Sequence, residues 1–241
     1  MRNRQTIGEA RWPAAAEFVA LAKAWQPDAV TRLLGFVWTA YDLLRQEVLA
    51  QVDCAQADRD LERSVTQYLE PRIRRAMPDC SPFYVQHGPH EFETAKRPPA
   101  QPPQPDIAFV PRENERVMFP LEAKTLRTVD KVGAYVSEIR GNFLTCRYAP
   151  FSSEGAMLGY LVTGDPAQAF DNIAAKVPCQ LTPHPAFLDR DHRTSDHMRS
   201  VPLGKSYPHK FRCHHMILCL ANASQSIKAA LPRQGGERGS T

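Results

Sequence analysis

The spacing of apolar residues divides the chain into a helical first part and a mixed part that follows it. Apolar residues recur every three or four positions over residues 14–25, 28–52 and 61–77, and this spacing predicts three helices. Pro13 and Pro27 stand where a helix can begin, whereas Pro71 is expected to kink or divide the third helix. The pattern therefore predicts an N-terminal helical region over residues 1–55.

From Ser81 onward the apolar residues form short runs that are typical of strands. Five prolines between Arg97 and Pro105 exclude a helix or an inner strand and predict a loop. The next two apolar runs flank the charged turn 111–116 and predict a hairpin. The predicted strands cover residues 83–85, 107–110 and 117–121, with a further extended segment at Phe92.

The remainder of the chain alternates between the two patterns. Residues 129–143 are predicted to be helical, residues 156–163 a buried strand, residues 164–177 a helix and residues 211–220 a last strand. A polar segment rich in Pro and His precedes that strand, and residues 232–241 are predicted to be a disordered tail. This order predicts an α/β fold, with one domain over residues 56–231 behind the N-terminal helices.

Composition removes several classes of protein. Hydrophobic residues make up 43% of the chain and only 12 of its 241 residues are Gly, which excludes collagen-like, fibrous and wholly disordered proteins. No apolar run is long enough to cross a bilayer, and the first residues lack the apolar stretch of a secretory signal. We therefore expect a cytoplasmic protein without membrane contact, whose six scattered cysteines are free thiols.

The formal net charge of +4 neither indicates nor excludes a nucleic-acid partner. The positive excess is confined to residues 166–241, whereas residues 106–165 are slightly acidic. The modest total is thus a sum over unlike regions. A bound divalent cation would reverse the sign of the acidic stretch and make it complementary to phosphate.

Two carboxylates and one ammonium group are expected to meet on the predicted hairpin. Alternation along the second strand places Glu122 and Lys124 on one face, and Asp106 stands at the end of the neighbouring strand. Two hard oxygen ligands suit Mg²⁺, and a nearby lysine can hold the attacking water during phosphodiester hydrolysis. The alternative is structural: Glu122 and Lys124 would form a surface pair, and Asp106 would begin a turn.

A third acid belongs to the helix that precedes the strands. A helical projection places Glu62 in the middle of the apolar stripe and Glu70 off it. A carboxylate on a buried face needs a cationic partner or a metal ion. Glu62 is therefore a candidate metal ligand; the alternatives are a first-turn glutamate favoured by the helix dipole, or a partner of Arg59 or Arg63.

These segments resemble a known family. Residues 62–69, Pro105-Asp106-Ile107 and Leu121-Glu122-Ala123-Lys124 are similar to the motifs of the PD-(D/E)xK, restriction-endonuclease-like nucleases. The resemblance implies an αβββαβ core with a central mixed sheet flanked by helices. It also implies Mg²⁺, with Mn²⁺ as a substitute, held by Asp106 and Glu122, a catalytic Lys124, and Glu62 as an accessory acid.

Later segments resemble uncharacterised bacterial members of the same superfamily, some of them associated with defence against phage. The resemblance rests on residues 141–143, 147–148, 155–160, 195–197 and 215–218. It implies a DNA endonuclease acting in phage defence or DNA processing. Basic residues near the motifs are candidates for contacts with phosphate, with a solvated charged surface as the alternative: Arg72, Arg75, Arg127, Lys131, Arg140 and Arg147.

Other interpretations stay open at this point, and one of them is an RNA nuclease, which the sequence does not distinguish from a DNA nuclease. The protein could be a non-catalytic subunit of nuclease fold that binds DNA or a protein partner, and the N-terminal helices could contact that partner or a second copy of the chain. Six histidines after residue 180 could suggest zinc, but Cys213 and Cys219 lie about 20 Å apart on an extended strand and cannot share an ion.

Overall fold

The computed structural model describes residues 27–94 and 101–220, without the side chains of residues 27 and 28. The predicted helix at residues 14–25 and the predicted tail at residues 232–241 lie outside the described residues. Within them the α-helices are α1 (Pro27–Glu47), α2 (Asp58–Ala76), α3 (Gly133–Glu138) and α4 (Pro166–Lys176). The strands are β1 (Phe83–His87), β2 (Ile107–Pro111), β3 (Phe119–Leu126), β4 (Glu154–Leu161), β5 (Thr182–Pro183), β6 (His192–Met198) and β7 (Lys210–Cys219).

All seven strands form one mixed sheet in the order β1-β2-β3-β4-β7-β6-β5. The pairs β1/β2 and β2/β3 are antiparallel, β3/β4 and β4/β7 are parallel, and β7/β6 and β6/β5 are antiparallel. The parallel strands lie at the centre, where helices cover both faces and nearly every residue of β3 and β4 is buried. The fold is therefore α/β, as the sequence predicts.

One core lies between the sheet and helices α1 and α2. Helix α2 buries Leu61, Val65, Leu69 and Ile73, which recur every four residues and so line a single face. Helix α1 contributes apolar residues at three- and four-residue spacing to the same core. Since α1 and α2 share this core with the sheet, the described part of the predicted N-terminal region is packed onto the α/β unit.

A second core covers the opposite face of the sheet. Helices α3 and α4 pack there against β3, β4 and β7, and Asp165 caps α4 by accepting a hydrogen bond from the Ala167 N–H at 2.9 Å. A π-helical turn, Ile139–Phe143, directly follows α3. Asn142 in this turn donates a hydrogen bond to Glu138, a residue of the site described below.

Several predicted elements differ from those observed. Helix α2 runs through Pro71 as one element and is not divided there. Helix α3 begins at Gly133, four residues later than predicted, and Phe92 lies outside any strand. Strand β6 occupies a segment that the sequence pattern leaves without an element, because this strand buries hydrogen-bonded polar groups rather than alternating apolar ones.

The structure also describes the state of the cysteines and the character of the helices. All six cysteines lie in the described residues and are free thiols, as predicted. Among the helices of residues 27–94 and 101–220, none is long and apolar enough to cross a membrane.

A chain of buried hydrogen bonds joins α1 to three strands. The indole N–H of Trp38 donates to Nδ1 of His192 at 3.3 Å, so a neutral His192 carries its proton on Nε2. That nitrogen lies 3.2 Å from Nδ1 of His214, whose Nε2 lies 2.9 Å from a carboxylate oxygen of Glu154. Every link has one donor and one acceptor when both histidines are neutral.

The buried histidines should make the protein sensitive to mild acid. Burial, with nearby His214, His184 and His215, lowers the pKa of His192 to about 2, whereas an unfolded histidine titrates near pH 6.5. Below pH 6.5 the unfolded state binds a proton at His192, whereas the folded state keeps this histidine neutral. The free energy of unfolding should therefore fall by about 1.4 kcal/mol per pH unit for this one group between about pH 6 and pH 3.

Urea unfolding at a series of pH values tests this prediction. His192→Gln should lower stability at pH 7 but flatten the dependence on pH below 6.5. The same substitution at the exposed His209 is the control and should leave the slope unchanged. An unchanged slope in His192→Gln would show that the buried network does not couple stability to pH.

Candidate catalytic and metal site

Strand pairing brings the two predicted metal ligands together. Asp106 directly precedes β2, and β2 is antiparallel to β3 with Ile107 opposite Leu121. The start of β2 therefore lies beside the second half of β3. There the backbone N–H of Ala123 donates a hydrogen bond of 2.8 Å to Oδ2 of Asp106, which fixes this carboxylate next to Glu122.

Lys124 lies at the centre of the cluster. Its Nζ is 2.9 Å from Oε1 of Glu122, 3.1 Å from Oε1 of Glu62 and 2.7 Å from the carbonyl oxygen of Ala123. The side chain of Lys124 is only 15% exposed, so these contacts are largely shielded from water. The structure thus brings together all four residues that the sequence predicts for the site.

Glu62 reaches the cluster from α2 on the face that the helical projection predicts. The buried residues Leu61, Val65, Thr66, Leu69 and Ile73 lie on both sides of it around the helix, although its own side chain is 18% exposed. The projection was wrong for Glu70, which is buried and paired with Arg74. Glu62 is held by the backbone N–H of Thr125, which donates to its Oε2 at 3.1 Å.

The acids of the site hold their protons more tightly than free carboxyl groups do. Desolvation is the main cause of the raised pKa of Glu62, of Asp106 and of Glu122. The pKa of Glu122 lies well above its usual value, because the negative charge of Asp106 adds to its burial. The pKa of Lys124 is also raised, since the surrounding carboxylates outweigh its own desolvation.

Glu138 is a member of the cluster that sequence reasoning missed. It ends α3, and its Oε1 lies 3.7 Å from Nζ of Lys124. Its charge also contributes to the raised pKa of Asp106 and of Glu122. The amide of Asn142, in the π-helical turn, donates a hydrogen bond to Glu138. Only a weak sequence signal could have identified Glu138: it borders the apolar face of a short helix, three residues after buried Tyr135.

The donor set fits a hard divalent cation. Oε2 of Glu122 is buried and has no hydrogen-bond partner, and the adjacent Asp106 supplies a second carboxylate. In the part of the chain that the structure describes, no three His, Cys, Asp or Glu side chains already stand as a metal-ligand group. The ammonium group of Lys124 contacts the carboxylates in this arrangement and supplies the compensating positive charge.

Most of the basic residues predicted to contact phosphate are engaged within the protein. Arg72 and Arg75 both pair with Glu47 and so join α2 to α1. Arg127 pairs with Asp58 and donates to two carbonyl groups, and Arg140 donates to the carbonyl of Lys176. Lys131 contacts exposed Asp130 at 3.5 Å, and Arg147 is exposed. Contacts of all six with nucleic acid stay predictions.

Three of the histidines after residue 180 make hydrogen bonds within the core of the sheet: His192, His214 and His215. His215 is fully buried, with Nδ1 3.0 Å from the hydroxyl of Tyr135 and Nε2 2.7 Å from the hydroxyl of Ser195. His192 and His214 belong to the hydrogen-bond chain from Trp38.

Comparisons with known proteins give no indication of the chemistry of this site. No protein-family model matches the chain, and neither the curated proteins nor the solved structures contain a match.

The raised carboxyl pKa values predict that charge at Glu122 destabilises the metal-free protein. An unfolded Glu122 loses its proton near pH 4.5, whereas the folded protein retains it to higher pH, so stability is lost as pH rises through this interval. Glu122→Gln should therefore raise the melting temperature of the metal-free protein at pH 7.5 and have little effect near pH 4.

Differential scanning calorimetry in EDTA measures this effect. Glu113→Gln, at an exposed position, is the control and should leave the melting temperature unchanged within about one degree. A lower melting temperature for Glu122→Gln at pH 7.5 would mean that the attraction between Glu122 and Lys124 exceeds the cost of burying the carboxylate.

Proposed function

We propose that this protein is a metal-dependent nuclease that hydrolyses phosphodiester bonds, with DNA as its substrate. The observation that carries the proposal is the convergence of Glu62, Asp106, Glu122 and Lys124 from three separate elements on one partly shielded position. A surface ion pair on an amphipathic strand would need neither the distant Glu62 nor a buried Glu122 without a partner for Oε2.

The topology around the site supports a PD-(D/E)xK type of core. Helix α2 is followed by the antiparallel strands β1, β2 and β3, then by α3 and by β4, which lies parallel to β3. This is the order αβββαβ that the sequence resemblance implies. Asp106 directly before β2, and Glu122 and Lys124 on β3, are the positions at which the resemblance expects the acids and the lysine.

Each site residue has a distinct role in the proposed reaction. Asp106 and Glu122 would hold Mg²⁺ or Mn²⁺, and the bound ion would polarise the phosphoryl oxygens and lower the pKa of a coordinated water. Lys124 keeps a proton at Nζ and orients the attacking water next to the phosphorus atom. Glu62 fixes the position of Lys124 by accepting its hydrogen bond, and Glu138 borders the same ammonium group.

Electrostatics explain why the proposed activity requires the ion. Four acids surround one lysine, so the cluster without a divalent cation repels a phosphodiester. Two positive charges from the metal would offset most of this negative charge. Lys131 and Arg147, both exposed, are then available to neutralise neighbouring phosphates. A place in phage defence or DNA processing is part of the same proposal.

DNA cleavage in the presence of Mg²⁺ or Mn²⁺ tests the function. Supercoiled plasmid and linear DNA should be cut by the full chain and left intact in EDTA. Lys124→Met should reduce the rate roughly 10²- to 10⁴-fold, because the water loses its positioning group. Asp106→Asn should abolish cleavage and also the Mn²⁺ binding measured by calorimetry, whereas Glu113→Gln should preserve both.

Two results would count against the proposal in different ways. Cleavage that persists unchanged in Asp106→Asn and Lys124→Met would assign the activity to a contaminant or another site. DNA binding by a chain that neither binds Mn²⁺ nor cuts would establish the non-catalytic subunit instead.

A further inference from the structure

A pocket separate from the catalytic cluster opens on the same face of the sheet. It has a volume of about 340 Å³ and is lined by Tyr84 and Val110 from the sheet, by Met118 directly before β3, and by His90, Glu91 and Phe92 from the segment after β1. This volume falls at the lower end of the range for small-molecule sites. Val110 is four residues along β2 from Asp106, about 13 Å on an extended strand.

The segment that covers this pocket is tied to the catalytic cluster. The N–H of Gly88 donates to the carbonyl of Asp106 at 2.8 Å, and the N–H of Glu91 donates to the carbonyl of Pro103 at 2.8 Å. The hydroxyl of Thr94 donates to the carbonyl of Arg147 at 2.7 Å. The pocket and the proposed site of cleavage are therefore joined through backbone hydrogen bonds.

Two glutamates of this segment differ in the number of hydrogen-bond partners that their carboxylates have. Glu93 has three side-chain partners, namely Arg116, Lys205 at 3.2 Å and the hydroxyl of Tyr207 at 2.9 Å. Glu91 is only 1% exposed; its Oε1 accepts from the N–H of Glu93 at 2.9 Å, the backbone N–H of Ala149 also acts on the carboxylate, and Oε2 has no hydrogen bond of normal geometry. Burial raises the pKa of Glu91 to about 7.

A buried acceptor without a partner is costly, and a ligand that donates to it removes that cost. The rest of the lining is mixed: Tyr84, Phe92, Val110 and Met118 are aromatic or apolar, whereas Gln86, His90, Glu93, Glu115 and Arg116 are polar or charged, and Phe92 is 64% exposed. An exposed aromatic ring beside a buried acceptor suits a flat molecule with an amino group. Bases of single-stranded nucleic acid stack on such rings, and a glutamate can accept a hydrogen bond from N4 of cytosine.

We propose that this pocket binds an unpaired base of the substrate strand, whose exocyclic amino group, as in cytosine or adenine, donates a hydrogen bond to Oε2 of Glu91. The choice of ligand rests on the proposed nuclease function. A base in this pocket lies within a few nucleotides of the phosphate at Asp106 and Glu122. Glu91 would therefore select the bases near the cleaved bond, and the substrate would have a single-stranded or locally opened segment there.

Titration of the metal-free full chain with cytidine and with uridine tests the proposal. The two nucleosides have the same size but carry an amino group or a carbonyl oxygen at position 4, and neither carries phosphate. In ¹H–¹⁵N NMR spectra, cytidine should shift the amides of residues 90–93 and bind at least about fivefold more tightly than uridine.

Three variants identify the source of this preference. Glu91→Gln keeps the side-chain shape but can offer an amide N–H, so the preference for cytidine should disappear or reverse. Phe92→Ala should weaken the binding of both nucleosides by a similar factor, because stacking depends little on the identity of the base. Glu113→Gln, an exposed glutamate outside the pocket lining, should leave both affinities unchanged.

Several outcomes would overturn the proposal: no shifts near residues 90–93, equal affinity for the two nucleosides, or a preference for cytidine that survives Glu91→Gln. The test is separate from that of the nuclease function, since it uses neither metal nor phosphate. A chain that discriminates cytidine through Glu91 but fails to cut DNA would retain the base pocket and lose the nuclease assignment.

Discussion

The ammonium group of Lys124, held among carboxylates from three different elements, is the interaction on which the site depends. Glu122 lies on the same strand, Glu62 comes from α2 and Glu138 from the end of α3, each within 3.7 Å of Nζ. A cation stands between these acids: burial raises the pKa of Glu62 and of Glu122, and the charge of Lys124 acts in the opposite direction. The same crowding of negative charge is what would let the cluster hold a divalent ion, as the proposed function requires. Stability of the metal-free protein and the proposed catalysis would then make opposite demands at this position.

The sheet holds this crowded site because its central strands are fixed from both faces. Apolar cores against α1 and α2 on one side and α3 and α4 on the other leave β3 and β4 almost without exposure. Buried polar groups add direction to this packing. The chain from Trp38 through His192 and His214 to Glu154 crosses from α1 to β6, β7 and β4, so that α1 has one preferred position on the sheet. On the opposite edge, the segment after β1 is hydrogen-bonded to Asp106 itself, which connects the proposed base pocket to the proposed catalytic cluster.

The sequence predicted the positions that follow from the regular geometry of a strand or a hairpin. Alternation along β3 predicted that Glu122 and Lys124 share a face, and the hairpin predicted their approach to Asp106, both of which the structure confirms. Strand β6 escaped prediction because His192 and Ser195 are buried through hydrogen bonds, which carry no periodic apolar signature. Glu138 and Glu91 escaped because their significance depends on partners distant in sequence, or on the lack of one. The basic residues were predicted from charge alone, and charge does not reveal that Glu47 already neutralises Arg72 and Arg75.

The location of a bound ion tests the central claim most directly. In crystals grown with Mn²⁺, anomalous scattering should place one ion within about 2.2 Å of carboxylate oxygens of Asp106 and Glu122, with Oε2 of Glu122 among its ligands. Nζ of Lys124 should then lie beside a water molecule of the ion's shell. Mn²⁺ at saturating concentration that leaves both carboxylates without a metal, or that binds only elsewhere on the chain, would contradict the account.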